Sequence, residues 1–252
     1  MTEFSGPFLQ RLLERDVRFH EVCESTQKEA RIWADQGALT GSLVVANSQT
    51  AGRGRLGRSW HSAPGKNLAF SMVLRPPLRI QDAPLICLAA GVGLAEALNL
   101  SIKWPNDILD AEGRKIGGIL AEMETHSGRL KHAVLGVGLN VNQTRFPESL
   151  PNPGSVAWLR GEQDRAVVLQ QCVFAVEKWC SELVSSPGRV LAQWRKRSAH
   201  LGKTVRVGDV KGIAEGVRED GALLIRTQAG EVHPILAGDV EMVGQIVSKP
   251  SS

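Results

Sequence analysis

Residues 42–75 read SLVVANSQTAGRGRLGRSWHSAPGKNLAFSMVLR, a polar loop between two largely apolar runs. The runs, residues 42–47 and 68–75, are short and bounded by turn residues, so they predict two buried strands. We call residues 49–67 the Arg loop, because it contains no acid and four cations, Arg53, Arg55, Arg58 and Lys66. Its glycines let backbone N–H groups approach a ligand, and guanidinium groups suit phosphate or carboxylate. This composition predicts a mobile anion-binding loop.

Other interpretations of this stretch exist. A basic loop can simply be solvated. The glycines at 52, 54 and 57 also match a dinucleotide-binding fingerprint, but residues 58–67 cannot form the helix that the fingerprint opens, and no acid ends the next strand. A phosphate-binding P-loop at Gly202-Lys203-Thr204 is excluded, because the glycine required five positions earlier is missing.

Periodicity and turn residues predict an α/β arrangement on both sides of this loop. Upstream, we expect a helix near 7–16, a strand at 17–22, and a helix that Ser25 or Thr26 caps, with Thr26-x-x-Glu29 as a capping box and its end near Gly37. Downstream, the predicted strands and helices are a buried helix to about residue 99, strands at 102–104, 107–109, 115–124 and 132–141, and helices at 164–184 and 189–197.

The sequence pattern changes after Leu201. The runs TVRVGDV, GIAEGV, ALLIRT and VHPIL are short β segments divided by glycine turns. We therefore expect two domains, an α/β (α+β) domain over residues 1–200 and a small β-barrel over residues 201–252.

Composition bounds the class of protein. The 252 residues carry a net charge of +4 and are 42% hydrophobic and 22% charged, which fits a folded globular protein and is too mildly basic to imply nucleic-acid binding. The four cysteines form no C-x-x-C pair, and the histidines form no zinc motif. The N-terminus has no apolar signal core, and the most apolar stretch, 83–98, is shorter than the ~20 residues of a membrane span. We expect a cytoplasmic protein without a membrane partner.

A second basic run lies between Leu183 and Gly208. It has six cations and no acid: Arg189, Arg195, Lys196, Arg197, Lys203 and Arg206. We interpret it as a solvated helix face with an interdomain segment, and an acidic protein partner is the alternative.

Three more motifs carry polar chemistry. KWPND (103–107) groups a cation, an aromatic ring, an amide and a carboxylate at a turn, although a hairpin corner alone would explain it. RKIGGIL (114–120) sets Lys115 beside two glycines that allow close backbone approach, although a lysine at a strand start is often only solvated. GVGLNVN (136–142) predicts a core strand whose small residues face a bulky group.

Together with ESTQ (24–27) and QTAGRGRLGRSW (49–60), these motifs closely resemble the biotin protein ligases in residues and in order. The resemblance spans residues 24–142, and the β-rich tail fits the family's C-terminal domain. It implies a catalytic domain with a mixed sheet, similar to class II aminoacyl-tRNA synthetases, followed by an SH3-like barrel. It also implies that biotin and ATP form biotinyl-5′-AMP, and that biotin then passes to a lysine of the biotin carboxyl carrier protein of acetyl-CoA carboxylase.

The resemblance also assigns roles to residues. The expected biotin-binding residues are Ser25, Thr26, Gln49, Gly52, Arg53, Lys115, Gly117, Gly118 and Gly138. The expected catalytic cations, which offset phosphate and carboxylate charge, are Arg55, Arg58, Lys103 and Lys115. The expected nucleotide-binding residues are Arg55, Arg58, Trp60 and Asn140. Asp107 is a candidate ligand for Mg²⁺, or a partner for a loop arginine, and the candidate base for lysine transfer.

Some features depart from the family or lie outside its motifs. Gln27 replaces the usual asparagine, and Val243 stands where an arginine is expected near the tail. Residues 1–23 are too few for the DNA-binding module of some members, so we expect no operator binding. A homodimer is an open alternative to a monomer.

Two rival functions remain at this point. Lipoate ligases share the fold, although the Arg loop together with KWPND is not expected in them. A nucleic-acid binder would use the Arg loop and the barrel, but it needs exposed aromatic residues among its cations, and the loop contributes only Trp60 and His61.

Overall fold

The computed structural model describes residues 4–243. A seven-stranded sheet in the order β1-β2-β3-β7-β6-β5-β4 forms its centre. Its strands are β1 (Val17–Cys23), β2 (Leu43–Gln49), β3 (Leu68–Leu74), β4 (Ser101–Lys103), β5 (Asp107–Leu109), β6 (Lys115–His126) and β7 (Arg129–Leu139). β1 and β2 are parallel and the other neighbours are antiparallel, so the sheet is mixed, as the sequence predicts.

Helices cover this sheet. They are α1 (Gly6–Leu13), α2 (Thr26–Asp35), α3 (Leu85–Leu98), α4 (Val156–Arg160), α5 (Arg165–Ser185) and α6 (Pro187–Arg197). α3 packs against α5 and α6 and is buried on nearly every side. The stretch Ile80–Leu98 is long and apolar enough to cross a membrane, but it is largely buried inside the protein. It is therefore the central core helix of this fold.

The C-terminal part forms a second, five-stranded antiparallel sheet in the order β11-β10-β9-β8-β12. Its strands are β8 (Thr204–Val207), β9 (Val210–Val217), β10 (Leu223–Arg226), β11 (Val232–Ile235) and β12 (Glu241–Met242). The end of the expected barrel domain, residues 244–252, lies outside the described residues. The indole N–H of Trp104 donates to Gly221 O (3.0 Å), and the Arg195 guanidinium donates to Val217 O (2.7 Å). These bonds tie the second sheet to the first and to α6.

The second basic run lies at this junction. Besides Arg195, Arg189 pairs with Glu182 (3.1 Å) and Arg197 lies 3.6 Å from Glu96. These two ion pairs join α6 to α5 and α3, and Arg195 joins α6 to the second sheet, so part of the run holds helices together and part lies at the junction.

Two local predictions are corrected by the structure. The capping box at Thr26 does not form. Ser25 takes the N-cap position without a capping hydrogen bond, and the Thr26 hydroxyl is 3.2 Å from the Gln49 side-chain oxygen. β6 and β7 are also longer at their turn than expected, because Ser127 and Gly128 both have positive φ and close a two-residue hairpin.

Candidate active site

A cleft opens between the Arg loop, β6, β7 and the N-terminus of α2. It brings together side chains that lie more than a hundred residues apart in the sequence. The expected site residues that line it are Ser25, Thr26, Gln49, Arg53, Arg55, Arg58, Trp60, Asp107, Lys115, Gly118, Gly138 and Asn140.

Three expected site residues do not line the cleft. Gly117 points to the opposite face of β6 from Gly118, and a side chain there would meet Leu139 and Ile108, so it is not a pocket residue. Lys103 lies behind Asp107 and pairs with it. Gly52 supports the Arg loop through its backbone, because its carbonyl accepts a hydrogen bond from Trp60 N (2.8 Å). A Cβ at this position would lie only 2.7 Å from Trp60 O, so the close approach requires glycine.

Amides and hydroxyls form one end of the cleft. The side-chain oxygen of Gln49 accepts from the backbone N–H of Thr26 (2.8 Å). The Ser71 hydroxyl lies 2.9 Å from the Thr26 hydroxyl and 3.1 Å from the Gln27 side-chain oxygen, and the Gln27 amide donates to Val134 O (2.9 Å). Most of these groups are buried, so they are positioned before any ligand arrives, and they can match a small group with both donors and acceptors.

Gln27, the residue that departs from the family's asparagine, lies at the floor of this polar end. Its side chain crosses from α2 to β7, where its oxygen occupies the space that a Cβ at Gly136 would need. Glycine at 136 is therefore required by the close approach of the glutamine. The longer amide is accommodated in this way and lines the cleft.

Two glycines form a flat surface in the middle of the cleft. Gly118 and Gly138 are paired across β6 and β7, so neither strand raises a side chain at this point. The indole of Trp60 lies on them, since a Cβ at Gly118 would be 3.2 Å from its ring and one at Gly138 would be 2.5 Å from its Nε1. Within residues 4–243 this Nε1 has no hydrogen-bond partner. A flat ligand group can contact this glycine surface only if the indole moves aside.

The charged wall of the cleft comes from KWPND and from the start of β6. The ammonium of Lys115 lies 2.6 Å from Asp107 Oδ1, and that of Lys103 lies 3.4 Å from Oδ2. Lys115 Nζ is also 5.7 Å from the centre of the Trp60 ring. Two cations share one carboxylate here, so these three side chains together carry a net charge of +1.

The Arg loop lies over this wall. It folds as a short hairpin in which Gly54 N donates to Arg58 O (2.7 Å). The guanidinium of Arg55 donates to the Asn106 side chain (3.1 Å) and to Gly238 O (3.4 Å), and Arg58 pairs with Asp239. Cations from the loop and from the sheet therefore face one cavity, which is the arrangement that a multiply charged anion requires.

A segment that the motifs did not identify completes the cleft. Leu150, Pro151 and Pro153 line it, and the backbone around them is held by Lys115, whose N–H donates to Asn152 O (2.8 Å). The Asn140 amide donates to Gly154 O (3.0 Å). Asn140, expected to bind nucleotide, thus lines the cleft and also holds the segment 150–154 in place. In the sequence, only the prolines of PNPG (151–154) indicate a rigid loop here.

The described residues do not form a magnesium cage. Both carboxylate oxygens of Asp107 face lysine ammonium groups, and residues 4–243 contain no group of three His, Cys, Asp or Glu residues that could hold a metal ion. Mg²⁺ at Asp107 stays a prediction from the family resemblance.

The cysteines are not suited to nucleophilic chemistry. All four are free. Burial, with smaller contributions from Glu29 and Glu24, raises the pKa of Cys23 to about 11, and burial raises the pKa of Cys87 to about 12. Burial also raises the pKa of Cys172 and of Cys180 to about 12. The thiolate is the reactive form, so these thiols are poor nucleophiles at neutral pH, and none of them lines the cleft, whose polar groups are cations, carboxylates, amides and hydroxyls.

Comparisons with known proteins agree with this geometry. Residues 20–140 match the Biotin/lipoate A/B protein ligase family, and residues 200–243 match the Biotin protein ligase C terminal domain. The chain is 37% identical to the Bifunctional ligase/repressor BirA of Bacillus subtilis over 89% of this chain and 73% of that protein. It is 36% identical to the Biotin--[acetyl-CoA-carboxylase] ligase of Paracoccus denitrificans over 82% of this chain and 92% of that protein. The structure of a biotin protein ligase from Aquifex aeolicus in complex with biotin and ATP superposes with a TM-score of 0.75 at 28% identity, covering 90% of this chain and 97% of that one.

Proposed function

The chain belongs to the biotin protein ligase family and is a ligase of that family, and from this premise we propose how its cleft joins biotin to the AMP part of ATP and then transfers the biotin to a carrier lysine. The carboxylate oxygen of biotin attacks the α-phosphorus of ATP and pyrophosphate leaves. The ε-amine of the carrier lysine then attacks the acyl carbon, loses a proton, and AMP leaves. The observation that supports this most directly is the opposition of Lys115 and the Arg loop across one cavity.

The polar end of the cleft is the proposed site for the ureido ring of biotin. Ser25, Thr26 and Gln49 supply hydroxyl and amide groups next to a buried floor. Once the Trp60 indole moves aside, the paired glycines Gly118 and Gly138 leave room for the apolar part of the molecule beyond this end. A ligand placed in this way directs its carboxylate toward Lys115.

The charged wall is the proposed site of the first reaction. Two anions must meet there, a carboxylate and a phosphate, so the barrier is mainly electrostatic. Lys115 and Arg55 are prearranged by Asp107 and Asn106, and they offset the charge that develops on the transferring phosphate. Mg²⁺ would bind together with the phosphates of ATP.

The Arg loop has a second proposed role. A mixed anhydride of biotin and AMP is hydrolysed by water, so a cover that keeps water out protects it until the carrier arrives. Arg53 and the backbone of the loop hairpin lie over the cleft and are placed to provide that cover. The nucleotide would lie between the loop and the wall near Asn140, with Trp60 as its aromatic neighbour.

The other proposals follow the family resemblance. The carrier is the biotin carboxyl carrier protein of acetyl-CoA carboxylase, consistent with the name of the Paracoccus relative. The described part of the C-terminal sheet is the core of an SH3-like barrel, residues 1–200 form the catalytic domain, and that domain is similar to class II aminoacyl-tRNA synthetases. The protein acts in the cytoplasm without DNA or a membrane as partners.

One experiment separates this function from its rivals. The protein is incubated with ATP, a carrier domain and either biotin or lipoate, and the mass of the carrier is measured. We expect a gain of one biotinyl group that requires both ATP and biotin. Labelling by lipoate alone would favour the lipoate ligase, and a gel shift with DNA that needs neither biotin nor ATP would favour the nucleic-acid binder.

A further inference from the structure

A carboxylate from the C-terminal sheet reaches the Arg loop. Asp239 lies in the segment between β11 and β12, and it pairs with the guanidinium of Arg58. Its other carboxylate oxygen is 3.6 Å from Arg55, which also donates to the neighbouring carbonyl of Gly238 (3.4 Å). The loop is therefore attached at both arginines to a segment 181 residues away in the sequence.

The two attachments differ in solvent exposure. The side chain of Arg55 is 20% exposed and has a second partner in Asn106, whereas those of Arg58 and Asp239 are 57% and 43% exposed. An exposed ion pair is weak and exchanges readily. A phosphate that enters the cleft can therefore take the guanidinium of Arg58 from Asp239 at little cost, while Arg55 keeps its position.

We propose that Asp239 is a positioning residue that holds the Arg loop closed through Arg58 and Arg55, so that the C-terminal sheet controls how long the cleft stays covered. This rests on the proposed function only in its consequence, which is the retention of the acyl-adenylate. The closed position of the Arg loop itself depends only on the contacts of Asp239 with Arg58 and Arg55, and it needs no ligand. Asp239 lines the cleft, and its charged contacts there are with the loop cations Arg58 and Arg55, so it acts through the loop and not on the chemical step.

The first test measures loop opening without any ligand. The Arg loop contains trypsin sites after Arg53, Arg55 and Arg58, so its cleavage rate reports how often it leaves the cleft. We expect Asp239→Asn to raise this rate about two- to fivefold, the range of an exposed ion pair. Asp239→Glu keeps the negative charge, so it should raise the rate less than Asp239→Asn does. Asp209→Asn is the matched control, because Asp209 is an exposed acid of the same sheet in the turn between β8 and β9.

A second measurement compares how loop cleavage depends on salt in the unaltered protein and in Asp239→Asn. Sodium chloride screens exposed ion pairs, so added salt should raise loop cleavage in the unaltered protein and leave Asp239→Asn nearly unchanged, after correction for trypsin activity on a small peptide. Equal cleavage rates in the unaltered protein and in Asp239→Asn, at low salt and with equal melting temperatures, would overturn the proposal.

The consequence for the ligase is tested separately. Asp239→Asn should release biotinyl-AMP into solution about two- to fivefold faster than the unaltered protein, with the rate of pyrophosphate formation unchanged. A lower KM for ATP without faster loop cleavage would mean that Asp239 only repels the nucleotide, which contradicts the positioning role. Absence of biotinyl-AMP in every sample, with faster cleavage in the variant, would refute the proposed function and leave the positioning role intact.

Discussion

The ammonium of Lys115 lies 2.6 Å from Asp107 Oδ1, and this contact joins the first residue of β6 to the first residue of β5. The same carboxylate lies near Lys103, so the three charges form one array at the edge of the cleft. The carboxylate fixes the direction of Lys115, because an ammonium without a partner would sample many rotamers. The fixed cation then meets an incoming carboxylate or phosphate without first having to be ordered.

Replacing Lys115 should therefore affect chemistry far more than folding. Lys115→Ala removes a cation from the developing charge, and we expect the rate of biotinyl-AMP formation to fall about 100- to 1,000-fold. Pyrophosphate release under saturating biotin and ATP measures this. Lys211→Ala is the control, since Lys211 is an exposed lysine of β9 that does not line the cleft. An adenylation rate within about twofold of the unaltered protein would remove Lys115 from the mechanism.

The glycine surface makes a second prediction. A methyl group at Gly138 would overlap the Trp60 indole and fill the space above the sheet. Biotin placed on this surface, after the indole has moved aside, would meet the added methyl group, and overpacking costs about 1–3 kcal/mol. Gly138→Ala should therefore weaken biotin binding about tenfold, as measured by titration calorimetry. Gly188→Ala is the control, because no atom lies within 4 Å of a Cβ at that position. Unchanged biotin affinity in Gly138→Ala would show that ligand does not use this surface.

Sequence patterns predict much of this arrangement, because each pattern involves residues that lie close together in the sequence. Over residues 101–139, alternation indicates which face of the sheet each residue lies on, and turn residues mark the ends of the strands. Together they predict most of the central sheet. The motif residues Lys115 and Asp107 were expected to share a site, since both follow from the family resemblance. Their direct contact was not predicted, because spacing along the chain does not give the register between β5 and β6.

The missed features depend on contacts between distant segments. Nothing near Arg58 in the sequence indicates that Asp239 will meet it, because that contact depends on how the second sheet docks. Pro153 lies in an irregular segment without periodicity, which gives no signal of the direction of its side chain. Gly117 was assigned to the pocket with Gly118, although neighbouring residues of a strand face opposite sides and only one of them can line it.

Arg55 provides a prediction about retention. Its bonds to Asn106 and Gly238 attach the loop to the sheet and to the C-terminal segment. Arg55→Gly should leave the protein folded but allow the adenylate to escape, so free biotinyl-AMP should accumulate in solution and be detected by chromatography. Leu56→Gly is the control. Leu56 is exposed and has a φ of 56°, a conformation that glycine adopts without strain, so this variant adds a glycine without removing a charge.

The outcomes for Arg55→Gly and its control separate two effects. If both variants release adenylate, backbone flexibility and not the guanidinium controls escape. If Arg55→Gly is unfolded by circular dichroism, the loop is a structural element and the proposed cover is wrong.

His200 makes stability depend on pH. It is fully buried between the two sheets, its ring contacts Trp194, and burial, with repulsion from Lys103 and Lys203, lowers its pKa to about 4. The unfolded chain, with an ordinary pKa near 6.5, binds more protons than the folded protein between these values. The stability that comes from keeping His200 neutral is complete above about pH 6.5 and is lost as the pH falls toward 4, by about 3 kcal/mol in total.

Urea unfolding at several pH values between about 7.5 and 4.5 tests this dependence. Acidic groups also protonate over part of this range, so the informative quantity is the difference between the unaltered protein and His200→Gln. We expect the unfolding free energy of His200→Gln to fall less steeply with acid, because glutamine does not titrate. His126→Gln, at an exposed histidine before the β6–β7 turn, should keep the steeper dependence. Parallel curves for the unaltered protein and His200→Gln would mean that this histidine does not control the acid sensitivity of the junction.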